Sequence, residues 1–302
     1  MSTQHIGDLS FSTQGEIFTA QFRAMANPCS IYIEQGVEPV ALLQDIAYKI
    51  AQEAWRIEQK YSRYLNTSVL SQINSHSGET VNIDLETFNL LTLSDTLWRE
   101  SGGKFDISSG VLRKLWTFEE QSKIPSKDSI QKILAHIGWH KVRFNQNGIT
   151  LAEGMQIDFG GIGKEYATDR CADIGAQSTS NRLLVNLGGD IAVRGKTRTD
   201  KPWQISIESK QGYGKIWKTI EIHSGAVATS GDVYKSFILK GKRYGHIINA
   251  ITGYPIEDAP RTVTVAAPNC TEAGILTTLA ILQGKDADAF LEETGRPYWL
   301  QF

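Results

Sequence analysis

Apolar and polar side chains alternate singly along two neighbouring segments near the start of the chain. The segments EIFTAQFRA and CSIYIEQG lie on either side of Asn27-Pro28. A period of two is typical of β-strands, and an Asn-Pro pair between them is typical of a turn. We therefore predict two strands that form an edge hairpin with its turn at Asn27-Pro28.

Apolar residues three and four positions apart predict helices farther along the chain. From 40 to about 64 this spacing defines one apolar face, formed by Leu42, Ile46, Ile50, Ala54, Ile57 and Tyr61. A second helix is predicted from Asp84, which is suited to cap its start, to the Gly102-Gly103 pair that ends it. Further helical patterns follow at 129–138, 162–176 and 271–283.

Strand patterns dominate the rest of the chain, for example in RLLVNLGGDIAVRG, WQISIES, IWKTIEIHSGAVATSGD and RTVTVAAP. Neighbouring strand pairs outnumber strand–helix–strand units. The sequence therefore predicts an α+β fold, a single large domain with a mainly antiparallel sheet and packed helices. Since no segment is typical of a linker, we predict an N-terminal extension at 1–18 and one domain at 19–302.

Composition narrows the class of partner. The 302 residues carry a formal net charge of −2, so the chain lacks the basic character of a nucleic-acid-binding protein. The cysteines Cys29, Cys171 and Cys270 are far apart in sequence, which argues against a disulfide framework or a zinc site. Neither a leader pattern nor a run of ~18 apolar residues is present. We predict a cytoplasmic protein with no nucleic-acid or membrane partner.

The stretch MQIDFGGIGKEYATDR is the first candidate for chemistry, because glycines separate a strand-like piece from a helical one. GGIGKE differs from both the Walker A loop and the GxGxxG motif. Glycines let the backbone approach a ligand, helix N–H groups can face it, and Lys164 lies in the first turn. Two interpretations stay open. One is a phosphate cradle in which Asp158 contacts a sugar or base, and the other is an ordinary strand-to-helix turn capped by Asp158.

Two further turns share this polar, glycine-rich character. Gly188, Gly189 and Asp190 form one of them between apolar strands, and the run 229–232, Thr-Ser-Gly-Asp, forms the other. Each alone is typical of a structural turn. If they lie at one end of a single sheet, however, they would surround the same ligand.

His246 is the histidine with the clearest candidate role. It lies in the strand-like run GKRYGHIINAITG, and a neutral imidazole can accept a proton from a hydroxyl near neutral pH. A lone histidine in a strand is more often a structural residue, so both interpretations stay open. The GxSxG motif of serine hydrolases is absent from the sequence.

Taken in order, these stretches resemble the ApbE family of FAD:protein FMN transferases from about residue 19 to 295. FRAMANPCSI is similar to the family's opening Met-Gly-Thr turn, KYSRYLNTSVLSQIN to its Ser-x-Leu-x-x-x-Asn segment, and GKFDISSGVL to its Phe-Asp-Ile stretch. IDFGGIGKEYATD is similar to its Asp-Leu-Gly-Gly-Ile-x-Lys-Gly-Tyr-Ala stretch. LVNLGGDIAVRG, ATSGDVYKSF and YGHIINAITGYPI are similar to Val-Asn-x-Gly-Gly-Asp, Ala-Thr-Ser-Gly-Asp and Tyr-Ser-His-Ile-Ile-Asp-Pro-x-Thr-Gly. The shared order of the whole series makes the resemblance specific.

The resemblance implies an ApbE-like fold and an enzyme that uses Mg²⁺ to split FAD at its pyrophosphate. FMN would be attached by a phosphoester to a Thr or Ser hydroxyl of an acceptor flavoprotein, with release of AMP. The resemblance implies FAD contacts at Met25, Tyr64, Lys104, Phe105, Asp106, Asp158, Lys164 and Ile248. It implies metal ligands at the Gly161 carbonyl and Thr278, and catalytic roles for His246, as the base, and Asp232. The phosphate near Lys164 would be the FAD pyrophosphate.

Gly274 is the main departure from the family pattern. The family helix reads Glu-Ala-Asp-x-x-x-Thr, whereas this chain reads Glu272-Ala273-Gly274 before Thr278. A carboxylate expected to bind the metal is therefore missing, although hard cations require oxygen ligands. Asp232, Glu272 or water could replace it. We expect Mg²⁺ to bind mainly together with the FAD phosphates.

Two other functions remain open from the sequence. The chain could bind FAD without transferase activity, which Gly274 favours, or hydrolyse FAD to FMN and AMP with water in place of the acceptor. The family's secretion or lipoprotein signal is absent from this sequence. We therefore expect a cytoplasmic acceptor, such as a soluble flavin-dependent reductase.

Overall fold

A central eight-stranded antiparallel sheet organises the residues that the computed structural model describes, which are 8–119, 122–195 and 201–302. With strands numbered in chain order, its spatial order is β1 (Ser10–Gln14), β2 (Ile17–Ala24), β3 (Asn27–Glu34), β7 (Leu183–Leu187), β8 (Asp190–Arg194), β11 (Gly225–Gly231), β14 (Thr262–Ala267) and β15 (Tyr298–Gln301). Smaller sheets contain β4 (Thr80–Asn82), β5 (Arg143–Asn145) and β6 (Gly148–Thr150), β9 (Trp203–Glu208) and β10 (Ile216–Ile222), and β12 (Ser236–Leu239) and β13 (Lys242–Gly245).

Helices form the other main part of the described structure. They are α1 (Val40–Tyr61), α2 (Val69–Ser75), α3 (Leu85–Glu100), α4 (Lys127–Leu134), α5 (Gly163–Ser178), α6 (Cys270–Leu282) and α7 (Ala287–Thr294), with short 3-10 helices at Ile107–Lys114, Trp139–Lys141 and Gly284–Asp286. Adjacent strands of the central sheet pair antiparallel throughout the described residues. The predicted α+β fold is therefore confirmed.

The two faces of the sheet bury different partners because side chains alternate along each strand. On β7, Leu183, Val185 and Leu187 join the core formed with α1, α5 and α6. Leu184, between them, faces the β9–β10 hairpin with Ile191 of β8. The interior strands are therefore apolar on both faces, which explains the nearly continuous hydrophobic run in RLLVNL.

The predicted hairpin exists, but its turn and position differ from the prediction. The turn residues are Met25 and Ala26, with φ angles of 52° and 62°, whereas Asn27-Pro28 already belongs to β3. This two-residue turn matches the twist of the strands, although non-glycine residues seldom adopt such angles. The hairpin is also not at the edge, because β3 pairs with β7 and β1 covers β2.

The helix predictions are confirmed in position, with one error in the apolar face of α1. Leu42 is exposed at 44%, and Leu43 is fully buried in its place. The helix ends at Tyr61 rather than near 64. Asp84 caps α3, since its side chain accepts a hydrogen bond from the backbone N–H of Thr87.

The predicted boundary between residues 1–18 and 19–302 falls inside β2. Residues 10–14 form β1, which pairs with β2, so chain on both sides of the boundary belongs to one sheet. Residues 1–7 lie outside the described part of the chain. Among the described residues, no helix combines the length and apolar character needed to cross a bilayer.

Candidate functional site

Two turns and the end of strand β11 lie at one end of the central sheet. The β2–β3 turn and the Gly188-Gly189 turn between β7 and β8 are adjacent, because the Gly188 N–H donates to the Pro28 carbonyl at 3.2 Å. β11 runs antiparallel to β8, so its last residues, 229–231, extend to the same end. The run 229–232, expected as a turn, is not one up to residue 231, because residues 229–231 pair with β14 as the last residues of β11.

Lys164 lies in the first turn of α5 and reaches this sheet end. Its Nζ donates to the Gly188 carbonyl at 3.3 Å and forms an ion pair with the buried carboxylate of Asp190. Burial acts to lower the pKa of Lys164, but the charges of Asp190 and Glu165 outweigh it and raise the pKa. The lysine therefore remains a cation, 29% exposed in its side chain, beside the Gly188-Gly189 turn.

The glycine turn before α5 is held by Asp158. Its Oδ1 accepts from the Gly160 N–H at 2.6 Å, whereas α5 itself begins at Gly163 after an Ile162 cap that lacks a side-chain bond. Asp158 therefore orders the turn without capping the helix. Arg63 forms an ion pair with Asp158 and stacks on the ring of Tyr64, whose side chain is otherwise exposed.

The Lys104-Phe105-Asp106 run lies beside this turn, but its side chains point to different partners. The Phe105 ring packs on Gly161, where a Cβ would lie 2.9 Å from it. Lys104 Nζ donates to Gln283 Oε1 at 2.6 Å. Asp106 is buried, and its two oxygens accept from the backbone N–H groups of Ser108 and Trp139. Its carboxylate is thus engaged inside the protein.

Helix α6 brings the hydroxyl-rich segment to the same place. Thr277 is buried and bonds to Ser230 of β11 and to the Gly274 carbonyl, each at 2.8 Å. Thr278, the next residue, is half-buried beside Gly161, since a Cβ on Gly161 would lie 3.9 Å from Thr278 Cγ2. The two residues predicted as metal ligands are therefore neighbours.

Glu165 is a buried carboxylate that the sequence analysis did not select. It is 6% exposed, and its Oε2 has no hydrogen-bond partner among the described residues. Burial raises the pKa of Glu165 to about 7, repulsion by Asp190 adds to this rise, and Lys164 opposes it. Burial likewise raises the pKa of Asp190. The charge of Lys164 thus acts on two buried carboxylates at this sheet end, Asp190 and Glu165.

His246 follows β13, in a neighbourhood of its own. Its Nδ1 is buried without a hydrogen-bond partner in the described part of the chain, and its ring meets Phe118 edge-on with the centroids 6.3 Å apart. Burial lowers the pKa of His246, and the nearby charge of Lys235 lowers it further. The imidazole is therefore neutral at pH 7 and able to accept a proton.

Asp232, predicted with His246 as catalytic, is fully engaged by cations. Its carboxylate forms ion pairs with Arg243 and with Arg261, the latter at 2.9 Å. It is 7% exposed and lines a small cleft with Ile281 of α6. Asp232 is therefore not a vacant carboxylate, contrary to what its suggested role as a replacement metal ligand requires.

Contacts thus divide the predicted site residues into three groups. Met25, Lys164, Gly161, Phe105 and Thr278 belong to the sheet end and the start of α5. Tyr64 and Asp158 form the second group, because both contact Arg63, a residue that was not predicted from the sequence. The third group lies in the 232–261 segment and contains His246, Asp232 and Ile248, whose backbone bridges to Pro255.

No signal within a single motif identifies Arg63, Arg113 or Glu165 as site residues. Arg63 lies next to a predicted contact, and Arg113 Nη1 is 3.7 Å from Asp158 Oδ2. Glu165 lies one residue after the lysine of the glycine turn. Among the described residues, no cluster of three or more His, Cys, Asp or Glu side chains is suited to hold a metal, so a cation here requires other oxygen donors.

Comparisons with known proteins identify relatives of this chain. The model of the ApbE family matches residues 25–298. The FAD:protein FMN transferase of Chlamydia pneumoniae is 31% identical over 74% of this chain and 72% of its own length. The FAD:protein FMN transferase of Haemophilus influenzae is 28% identical over 76% and 70%.

Solved structures extend the similarity to the whole fold. The crystal structure of the ApbE protein from Thermotoga maritima superposes with a TM-score of 0.85 at 30% identity and covers 94% of both chains. The flavin transferase ApbE from Vibrio cholerae superposes with a TM-score of 0.78 at 26% identity and covers 94% of this chain and 93% of its own.

Proposed function

This chain belongs to the ApbE family, and we propose that it transfers FMN from FAD to a Thr or Ser hydroxyl of an acceptor flavoprotein, with release of AMP. The observation that carries the proposal is the position of Lys164. Its ammonium group contacts the Gly188-Gly189 turn and Asp190, and its backbone lies in the first turn of α5, directly after the glycine turn. A cation beside glycine turns at the start of a helix suits a pyrophosphate.

The other groups would bind the rest of FAD. Met25 and the strained turn that contains it would contact the nucleotide next to Lys164. Lys104, Phe105 and Ile248 would contribute further contacts, with Asp106 acting through the backbone it orders. Tyr64 and Asp158 would bind together, because Arg63 joins them. These assignments are proposals that rest on the family resemblance and on the contacts described above.

The transfer exchanges the phosphoanhydride bond of the FAD pyrophosphate for a phosphoester bond to the acceptor. The acceptor hydroxyl oxygen attacks the phosphorus on the FMN side, the bond to the bridging oxygen of the pyrophosphate breaks, and AMP leaves with that oxygen. His246, whose imidazole is neutral, would accept the hydroxyl proton at a ring nitrogen. Asp232 would keep the surrounding segment in place through Arg243 and Arg261. Phosphoryl transfer depends chiefly on such positioning and on charge neutralisation.

The residues fit Mg²⁺ as the cofactor. A hard cation requires oxygen donors, and the Gly161 carbonyl and Thr278 hydroxyl belong to neighbouring residues. A buried carboxylate oxygen without a hydrogen-bond partner, Oε2 of Glu165, lies in the same region. When bound, Mg²⁺ would neutralise the pyrophosphate charge and so favour departure of AMP.

Mass spectrometry tests this function against the two alternatives. The protein is incubated with FAD, Mg²⁺ and a flavoprotein that carries a threonine attachment site, with the threonine-to-alanine form of the acceptor as control. We expect the acceptor to gain the mass of FMN, the control acceptor to gain none, and AMP to appear in equal amount. AMP without an adduct would support hydrolysis, and binding of FAD with neither product would support a flavin-binding protein.

A further inference from the structure

Helix α6 has no room for a side chain at Gly274, because Glu165 of α5 occupies that space. A Cβ on Gly274 would lie 2.9 Å from Glu165 Cδ and 3.0 Å from Oε1, and closer still to Cγ. Real Cβ atoms essentially never approach other atoms so closely. The carboxyl group of Glu165 thus lies where a short side chain at position 274 would extend.

The buried carboxylate has an unused oxygen. Oε2 of Glu165 is inaccessible to solvent and lacks a hydrogen-bond partner among the described residues. The nearest cation, Lys164, is already paired with Asp190. Since buried polar atoms are nearly always satisfied, an exception of this kind indicates a missing partner, and a cation is one that a carboxylate can accept.

The other carboxylates near α6 are already in use. Glu272 forms an ion pair with Arg296 at 2.7 Å, and Asp232 pairs with two arginines. Asp169 accepts from the N–H groups of Cys270 and Thr271, which start the helix, and also binds Arg194. Asp190 Oδ2, which also lacks a hydrogen bond, forms the ion pair with Lys164, whereas Glu165 Oε2 has neither kind of partner among the described residues.

Two further residues with oxygen donors belong to the same elements. Thr278 lies about one helical turn after Gly274 on α6, and Gly161 lies in the turn that leads into α5. Gly161 and Thr278 are also neighbours of each other. A carboxylate, a hydroxyl and a carbonyl are thus carried by α5, α6 and the turn before α5.

We infer that Glu165 is the carboxylate ligand of the cation and replaces the aspartate that the family pattern has at position 274. Relative to the family pattern, the glycine and the carboxylate have exchanged positions. The pattern has Gly after the lysine and Asp in the later helix, whereas this chain has Glu165 and Gly274. The site keeps one carboxylate, but it is carried by α5. This inference rests on the proposed function, because it supplies a ligand for the same cation.

Four variants of the full chain, with Mn²⁺ as a paramagnetic probe, test the inference by spectroscopy with and without FAD. We expect Glu165→Gln to weaken Mn²⁺ binding about 10- to 100-fold, as loss of a charged ligand would. Glu165→Gly should weaken it similarly, and the double variant Glu165→Gly, Gly274→Asp should restore it to within a few-fold. Glu272→Gln removes a paired carboxylate on the same helix and should have no effect.

Wild-type Mn²⁺ affinity in Glu165→Gln would overturn the assignment and would leave Glu165 as a structural group beside Asp190. Equal loss in Glu272→Gln would also overturn it, because the effect would then reflect net charge. The assignment would also be overturned if the double variant had the melting temperature of the normal protein but did not regain Mn²⁺ affinity. If Mn²⁺ binding depends on Glu165 but FAD neither binds nor reacts, the proposed function fails and the metal ligand stands.

Discussion

Two carboxylates at helix α5 have opposite surroundings: Glu86 contacts the helix, and Glu165 belongs to it. Glu86 accepts bonds from Arg56, Lys60 and Tyr166, at 2.6 to 2.8 Å. Although burial acts to raise it, these partners lower the pKa of Glu86 to about 2. Glu165, the residue before Tyr166, has a pKa raised to about 7 by burial and by Asp190. Tyr166 of α5 thus donates to a carboxylate whose hydrogen bonds are satisfied. The residue before it, Glu165, is a carboxylate with an oxygen that has no hydrogen-bond partner among the described residues.

The contrast provides a way to separate structure from function in this chain. A carboxylate whose acceptors are all filled has no capacity to bind a ligand, so its removal should affect stability. A buried group without a partner, such as Glu165 Oε2 or His246 Nδ1, is costly for folding and is retained where it binds or reacts. The predictions that follow test this separation.

The largest expected effect is at His246. Substitution His246→Ala should leave FAD bound but slow FMN transfer by ~10²- to 10⁴-fold, the usual cost of losing a general base. His223→Ala, at an exposed histidine, is the control and should transfer at the normal rate. The measurement is the initial rate of adduct formation by mass spectrometry. An unchanged rate in His246→Ala would reduce this residue to a structural role despite its unpartnered nitrogen.

Lys164→Ala should weaken FAD binding roughly ten-fold or more, because a charge-assisted contact to the pyrophosphate is lost. FMN, which lacks the pyrophosphate, should bind much more weakly than FAD to the normal protein and be nearly unaffected by the change. Lys132→Ala, an exposed lysine on α4, is the matched control. Fluorescence titration of both flavins measures the effect. Equal affinity of the normal protein for FAD and FMN would count against the pyrophosphate contact.

Gly274→Asp tests whether the space beside α6 is filled. The new side chain would overlap Glu165, so we expect the free energy of unfolding to fall by ~1 to 3 kcal/mol, as in overpacked cores. Glu165→Gly in the same chain should relieve most of this loss. Chemical denaturation of the single and double variants measures both effects. A fully stable Gly274→Asp single variant would contradict the described contact.

Glu86→Gln should lower the free energy of unfolding by ~1 to 2 kcal/mol at pH 7, because charged hydrogen bonds are lost at a group that is 19% exposed. Since folding lowers the pKa of Glu86, its contribution is present above the unfolded value near 4.5 and disappears as the pH falls toward 2. The difference between the two proteins, followed by denaturation at several pH values, should vanish over that range. FMN transfer should be unaffected. A slower transfer rate in the folded variant would show that Glu86 contributes to function as well as to stability.

Sequence patterns predicted the elements whose causes are local. Asp84 caps α3 as expected, since an aspartate just before a helical pattern provides its own acceptor for the first N–H groups. The Gly188-Gly189 turn was also predictable, because two glycines separate two apolar runs that form β7 and β8. The position of Leu43 in the core was not, because one residue of helical rotation separates it from Leu42 and packing decides between them.

Features that depend on distant partners could not be predicted. The turn at Met25-Ala26 places two non-glycine residues at positive φ, which their side chains do not indicate. The nearby Asn-Pro pair is more typical of a turn and was therefore predicted as the turn. The sequence analysis recognised that Gly274 lacks a carboxylate, yet considered Asp232 and Glu272 as replacements. Only the fold shows that arginines occupy both and that Glu165, on another helix, lies against Gly274.

The most direct test of the account is a crystal structure of the protein with FAD and Mn²⁺, with the metal located by its anomalous scattering. The account predicts one strong peak in contact with the Glu165 carboxylate, the Gly161 carbonyl and Thr278, beside the FAD phosphates and near Lys164. A peak bound elsewhere, for example at Asp232, or well-ordered FAD with no metal beside Glu165, would contradict it.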